Sequence, residues 1–291
     1  MSQIRFEDVV KRFEGREVLS GVSFTVEKGE ILAVVGPSGT GKSVTLKHLV
    51  RLLTPTSGSV WLDDVEISSA MGSDLESIRN RFGYLFQGGA LLGWLTVEEN
   101  VALPLREHGG LSDEEIDARV SEALAAVELS DAADRYPAEI SGGMQKRAGL
   151  ARAIVRRNDI ILYDEPTSGL DPVTSVTINR LIRRLNRERG ITSIVVTHDL
   201  QGALLFADRV LMLKGGHVVE VSEPSAFVRS ANPDVREFLD AQLVTPDFFE
   251  AIAKTQHSGR AGVPSPAADG DGTPSLPGFA TGSFESHQQM E

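Results

Sequence analysis

The eight residues Gly36-Pro37-Ser38-Gly39-Thr40-Gly41-Lys42-Ser43 constrain the fold of this chain more than any other stretch. Their spacing, G-x-x-x-x-G-K-[ST], works only where a β-strand ends and an α-helix begins, because the loop's backbone N–H groups must wrap an anion that also faces the helix N-terminus. Both neighbours are readable: residues 30–35 form a short apolar run, and residues 44–53 carry apolar side chains at helical spacing. In such a loop Gly36, Pro37, Ser38, Gly39, Thr40 and Gly41 form the cradle, Lys42 reaches the β- and γ-phosphates of a nucleotide, and the Ser43 hydroxyl ligates Mg²⁺. The chain is therefore expected to be α/β.

Composition excludes several other classes. A chain of 291 residues that is 41% hydrophobic has ample material for a buried core. It contains no cysteine, which removes disulfides, thiol catalysis and Cys-ligated metals and fits a cytoplasmic setting. Residues 1–8 are charged and lack the apolar segment of a signal peptide, and no run of about 18 uncharged apolar residues occurs, so the chain is not expected to cross a membrane by itself. A formal net charge of −12 argues against a broad nucleic-acid-binding surface. Arg180, Arg183, Arg184, Arg187 and Arg189 do cluster, but at a spacing that reads as the solvated face of one helix.

Along the chain, residues 4–26 alternate in a way that predicts a small β-layer, which contains Phe13, and residues 54–67 read as a turn followed by a strand. From near Ser68 helical stretches dominate. Ser112-Asp113-Glu114-Glu115 has the form of a capping box, and Ile116, Val120, Leu124 and Val127 follow as one apolar stripe. This predicts a helical subdomain over about residues 88–157, of ordinary subdomain size. The α/β core resumes with the apolar run 160–163, a helix over 173–189 and a strand over 191–196. Apolar runs separated by helices imply a mostly parallel sheet covered on both faces, with ligands at the carboxyl ends of its strands. Residues 4–240 are expected to form the folded domain and 241–291 an extension. From about residue 256 the extension is rich in Gly, Pro, Ser and Asp and is expected to be disordered.

Asp164 closes an apolar strand, where a carboxylate can hold Mg²⁺ through water, and Glu165 follows, where a second carboxylate can polarise an attacking water; a solvated acidic turn is the alternative. Ser141-Gly142-Gly143 opens a helix. Two glycines after a capping serine cost roughly 1 kcal/mol each relative to alanine unless a ligand or another backbone must come close. The expected ligand is phosphate, and since one cradle is already present, the second implies service to another copy in a two-fold pair. His198 ends the strand beside the Asp164 strand, from where an imidazole can contact a γ-phosphate. The Gln87 amide can ligate Mg²⁺ or the water, or simply lie on the surface. Phe13 can stack on adenine or belong to the core. Together these motifs point to ATP binding and hydrolysis.

In this order the motifs resemble the nucleotide-binding subunits of ATP-binding-cassette (ABC) transporters across roughly residues 4–240. Residues 36–43 match the Walker A motif, Gln87 the Q-loop, residues 140–144 the signature, residues 160–164 the Walker B strand, Glu165 the catalytic base, Ser168-Gly169-Leu170-Asp171 the D-loop and His198 the switch histidine. The resemblance implies a P-loop core with an antiparallel β-layer and a helical subdomain. It also implies that two copies sandwich two ATP molecules, each between one copy's Walker A and the other's signature, and so assigns Asp171 and residues 141–143 to nucleotide. Two positions depart from the common pattern: Met144 lacks the amide of glutamine, and Val44 lacks a threonine hydroxyl. The Ile-Ser-Gly-Gly-Met signature, the Gly-Lys-Ser-Val segment and residues 88–92 and 100–108 look similar to ATPases of Mce-type lipid transporters. That likeness implies permease subunits, an Mce-domain substrate-binding protein and, as an open alternative, a small regulatory subunit, with the ATPase peripheral on the cytoplasmic face of the inner membrane. An amino-acid-type importer ATPase, a soluble ABC ATPase and a nucleotide kinase are the competing readings, the last leaving the 141–143 helix without a task.

Overall fold

Buried and exposed residues alternate along the first two strands, β1 (Ser2–Phe13) and β2 (Arg16–Glu27), so that Ile4, Phe6 and Val9 face inward with Leu19, Val22, Phe24 and Val26. Phe6 and Phe24 stack with ring centroids 4.5 Å apart. The computed structural model describes residues 2–247 together with 249 and 250. The expected disordered tail from about residue 256 lies outside the described residues.

The third strand, β3 (Ile31–Val35), runs into the glycine loop and α1 (Lys42–Leu49). The helix begins inside the motif and stops earlier than residue 53, because Arg51 takes a left-handed φ of 53° and the N–H groups of Leu52 and Leu53 turn back to the Lys47 carbonyl. β4 (Ser57–Leu62) and β5 (Val65–Glu66) complete an antiparallel sheet of order β2-β1-β4-β5. α2 (Gly72–Asn80) leads to β6 (Phe82–Leu85). Next come α3 (Val97–His108), α4 (Asp113–Ala126) and α5 (Gly142–Ile154), whose apolar faces join one cluster that continues onto the parallel sheet. Capping boxes at Thr96/Glu99 and Ser112/Glu115 start the first two of these helices.

The chain then alternates: β7 (Ile160–Asp164), α6 (Pro172–Arg189), β8 (Thr192–Val196), α7 (Leu200–Phe206), β9 (Arg209–Lys214) and β10 (His217–Ser222), with α8 (Pro224–Phe227) and α9 (Pro233–Ala241) closing the described fold. The second sheet has order β10-β9-β3-β8-β7-β6 and is parallel except for β10. All residues of β3, β7 and β8 are buried, as a sheet covered on both faces requires. Register sets Val34 and Asp164 both against Val196, so the strand ends of β3, β7 and β8 finish level with one another. That level edge carries the chemistry.

The arginine cluster on α6 lies on the expected solvated face, with Arg180, Arg184 and Arg187 exposed and Arg183 and Arg189 half-buried, and most of it is engaged in surface pairs. Arg184 pairs with Glu128, Arg187 with Asp208 and Arg189 with Glu122, while Arg183 donates to the Leu205 carbonyl. Spacing along one helix shows only the face, not the acceptors that other elements bring to it. Among the described residues no helix is long and apolar enough to cross a membrane.

Candidate functional site

The cradle at the end of β3 can be built only with glycine at two points. A Cβ on Gly36, at φ 140°, would lie 2.0 Å from the Leu213 carbonyl oxygen, and one on Gly41, at φ 97°, would lie 2.5 Å from Leu19 Cδ2. Gly41 is also the N-cap of α1, so the open end of that helix faces the loop's interior. Lys42 is buried and curls over the loop, donating to the carbonyls of Gly36 (2.8 Å) and Pro37 (3.0 Å). Burial lowers its pKa, against the opposing pull of Glu165 and Asp164. A cavity of about 610 Å³ opens beside the loop, lined by Phe13, Val18, Ser38, Gly39 and Thr40 among others.

Phe13 forms one wall of that cavity and is 39% exposed, with the Lys11 ammonium 5.0 Å from its ring centroid. It is not a core residue. Val44 is half-buried against the core of the first sheet, and its carbonyl faces His48 Nδ1 at 2.7 Å.

Ser43 donates its hydroxyl to Asp164 Oδ1 at 2.6 Å, joining the loop to the end of β7. Tyr84 on β6 donates to Asp164 Oδ2 at 3.2 Å, and burial together with Asp164 pushes its pKa far up, so it is fixed as a donor. The Ser43 hydroxyl and the Asp164 carboxylate are hard oxygen donors of the kind that suits Mg²⁺. Among the described residues no group of three or more His, Cys, Asp and Glu side chains could hold a metal. An ion here must therefore take part of its shell from phosphate and water, as Mg²⁺ does.

Glu165 follows Asp164 with a left-handed φ of 51°, an unusual conformation for a residue with a side chain. Its N–H donates to the Val196 carbonyl (2.9 Å) and its side chain is 13% exposed. His198, placed by the end of β8, brings Nδ1 to 2.6 Å from Glu165 Oε2, with its own N–H at 3.3 Å from the same oxygen. The two groups read separately from the sequence thus form one pair. Gln87 is exposed after β6 and its amide nitrogen lies 3.5 Å from Ser168 Oγ, at the outer limit of a hydrogen bond.

Ser141 caps α5 by accepting from the Met144 N–H at 3.3 Å. The two glycines behind it differ. A Cβ on Gly143 would lie 2.5 Å from Thr174 Cγ2, so close packing against α6 requires that glycine. Gly142 has room, its nearest neighbour being Leu170 Cδ2 at 3.7 Å, and nothing within the chain demands a glycine there. None of residues 141–143 lines the cavity beside the phosphate loop. Asp171 caps α6, accepting from the N–H groups of Val173 and Thr174 at 3.0 Å each, and the Thr174 hydroxyl and backbone hold its pKa below the ordinary value.

Two residues passed over in the sequence contribute to this edge. Tyr84 orients Asp164 and had no local signal. Asn100 is fully buried on α3, where it accepts from the Leu92 N–H (2.7 Å) and donates to the carbonyls of Leu92, Leu95 and Thr96. It ties down the loop in which Trp94 stands 72% exposed while Leu91 packs on the core. An asparagine between Val97 and Val101 on an apolar helix face was the available signal.

Comparison with known proteins bears on this geometry. The profile described as ABC transporter matches residues 19–168. The chain is 42% identical over 243 residues to the probable ribonucleotide transport ATP-binding protein mkl of Mycobacterium tuberculosis, covering 84% of this chain and 68% of that protein. It is 39% identical over 250 residues to the methionine import ATP-binding protein MetN 2 of Pseudomonas aeruginosa, covering 84% of this chain and 75% of that one. A solved dimeric ATP-binding cassette in a post-hydrolysis state, bound to ADP and Pi, superposes with a TM-score of 0.70 at 36% identity, covering 76% of this chain and 98% of its own.

Proposed function

From the premise that this chain belongs to the ABC transporter family and is an ATPase using ATP with Mg²⁺, we propose that it couples hydrolysis to lipid movement by a Mce-type transporter. Cassettes of this family dimerise and pair with membrane permease subunits. Here the permease is proposed to hold the chain on the cytoplasmic face of the inner membrane, beside an Mce-domain protein. The observation that carries the ATPase roles is the Glu165–His198 pair at 2.6 Å beside the Ser43–Asp164 pair, both on the level strand edge.

The residues then divide the work. Lys42 leaves the Gly36 and Pro37 carbonyls for the β- and γ-phosphates, and the loop amides take the remaining oxygens. Ser43, Asp164 and Gln87 would hold Mg²⁺, which would supply positive charge to offset that of the phosphates. Glu165 accepts the proton of the attacking water, and His198 fixes which way its carboxylate points. Phe13 takes the adenine. Ser141, Gly142 and the amides of α5 receive the triphosphate held by a second copy, with Asp171 at the same seam. Trp94 is proposed to meet the permease: a large exposed aromatic on a loop pinned by Asn100 has the form of a docking anchor.

Lipid cargo is supported by the Ile140-to-Met144 signature, the Gly41-to-Val44 segment and residues 88–92 and 100–108. The second reading, import of a small solute such as an amino acid, is favoured by the MetN relatives. Purifying the native membrane complex and identifying its proteins and bound lipids by mass spectrometry separates the two. An Mce-domain protein with phospholipid is expected; a soluble solute receptor instead would replace the lipid reading. Trp94→Ala is expected to weaken complex assembly, and unchanged assembly and coupled turnover would remove Trp94 from the interface.

A further inference from the structure

Lys146 lies on α5, one turn beyond Gly142 and Gly143, and is buried. Its hydrogen bonds run to main-chain carbonyls of two different loops: Nζ donates to the Gln87 carbonyl and to the Glu165 carbonyl, the latter at 3.3 Å. An ammonium taken out of water is costly unless it is hydrogen-bonded, so these two carbonyls are what hold it there. The same face of α5 holds the Gln87 loop twice more. Arg152 donates to the carbonyls of Gly89 and Ala90, both at 2.7 Å, and Gly149 lets the loop approach so closely that a Cβ there would lie 3.1 Å from the Gly89 oxygen. Residues 146, 149 and 152 thus fasten residues 87–90 to one helix, and Lys146 alone among them also reaches the catalytic loop. There it grips a residue in a left-handed conformation whose N–H is held from the opposite side by Val196.

We propose that Lys146 is a positioning residue that couples the two nucleotide sites of the dimer. The N-terminus of α5 meets the ATP bound by the other copy, whereas Gln87 and Glu165 act on the ATP bound by its own copy. A shift of α5 on contact with the partner's triphosphate is carried through Nζ to both carbonyls, so that Glu165 reaches its working position only when both sites are filled. This rests on the assignments of Glu165 and the shared seam made above.

The test uses the full chain, measuring steady-state hydrolysis and equilibrium ATP binding. Lys146→Met removes the donor at similar volume. It is expected to lower kcat about tenfold or more, leave ATP affinity within about twofold, and reduce the Hill coefficient for ATP toward 1. Lys146→Gln keeps N–H donors and is expected to recover most of the lost kcat and cooperativity. Wild-type kcat and Hill coefficient in Lys146→Met would overturn the proposal. So would a Lys146→Gln enzyme as impaired as a poorly folded Lys146→Met one, since the donor would then not be what matters. Glu165→Gln run in parallel separates the failures: if it still turns over, the reading of Glu165 falls, and if it is silent while Lys146→Met is normal, the coupling alone falls.

Discussion

The phosphate loop and the signature loop are both glycine-rich helix N-termini, yet their surroundings within the chain differ. Around residues 36–43 two glycines are forced by contacts with Leu213 and Leu19, Lys42 and Ser43 have partners at hydrogen-bond distance, and a cavity opens beside the loop. At residues 141–143 one glycine is forced by Thr174, the other has space around it, and a serine cap is the main polar feature. The difference suits the proposed shared site: the phosphate loop is preorganised by its own fold, whereas Gly142 has open space beside it.

The comparison can be broken at several points. The largest effect is expected from Glu165→Gln, which should leave ATP binding intact and trap the closed pair while cutting turnover by about 10² or more, as loss of a general base does; near-normal hydrolysis would reassign the base. Next, Lys42→Ala should weaken ATP binding about tenfold or more through loss of a charge-assisted contact, read by equilibrium titration. The two signature glycines should then part company. Gly142→Ala should keep the melting temperature and lose much of the turnover. Gly143→Ala should lower the melting temperature by a few degrees, because about 1–3 kcal/mol of overpacking against Thr174 outweighs about 1 kcal/mol of helix propensity.

A further effect concerns acid and leaves nucleotide chemistry aside. His48, on the helix that carries the phosphate loop, is 1% exposed, and burial pushes its pKa down from 6.5 to about 4. The unfolded chain therefore binds a proton that the folded chain refuses between those values. Stability is full above pH 6.5 and falls as the pH drops toward 4, by about 3 kcal/mol at the most. Thermal melts from pH 7 to 5 should show this loss, and His48→Gln should flatten it.

Features whose cause is local were legible in the sequence. The strand–loop–helix unit, the carboxylates closing β7, the cap at Ser141 and the box at Ser112 depend on neighbours within a few residues, and the structure has them in place. The end of α1 was misplaced because apolar spacing continues past the point where Arg51 turns left-handed. The α6 arginines, Tyr84, Asn100 and Lys146 depend on acceptors brought from distant elements, and spacing along one helix or strand is silent about those. Phe13 lay between: its aromatic character was plain, but only the sheet edge could decide whether it faced the core or a ligand.

One copy's signature is proposed to close over the nucleotide of another. Because the chain contains no cysteine, this can be tested cleanly by mixing two preparations, one carrying Ser38→Cys and one carrying Gly142→Cys, both with Glu165→Gln, under mild oxidation. A disulfide-linked pair of the two different variants is expected to form with ATP and Mg²⁺ and to be scarce with ADP or without nucleotide. Equal cross-linking under all three conditions, or none with ATP, would contradict it.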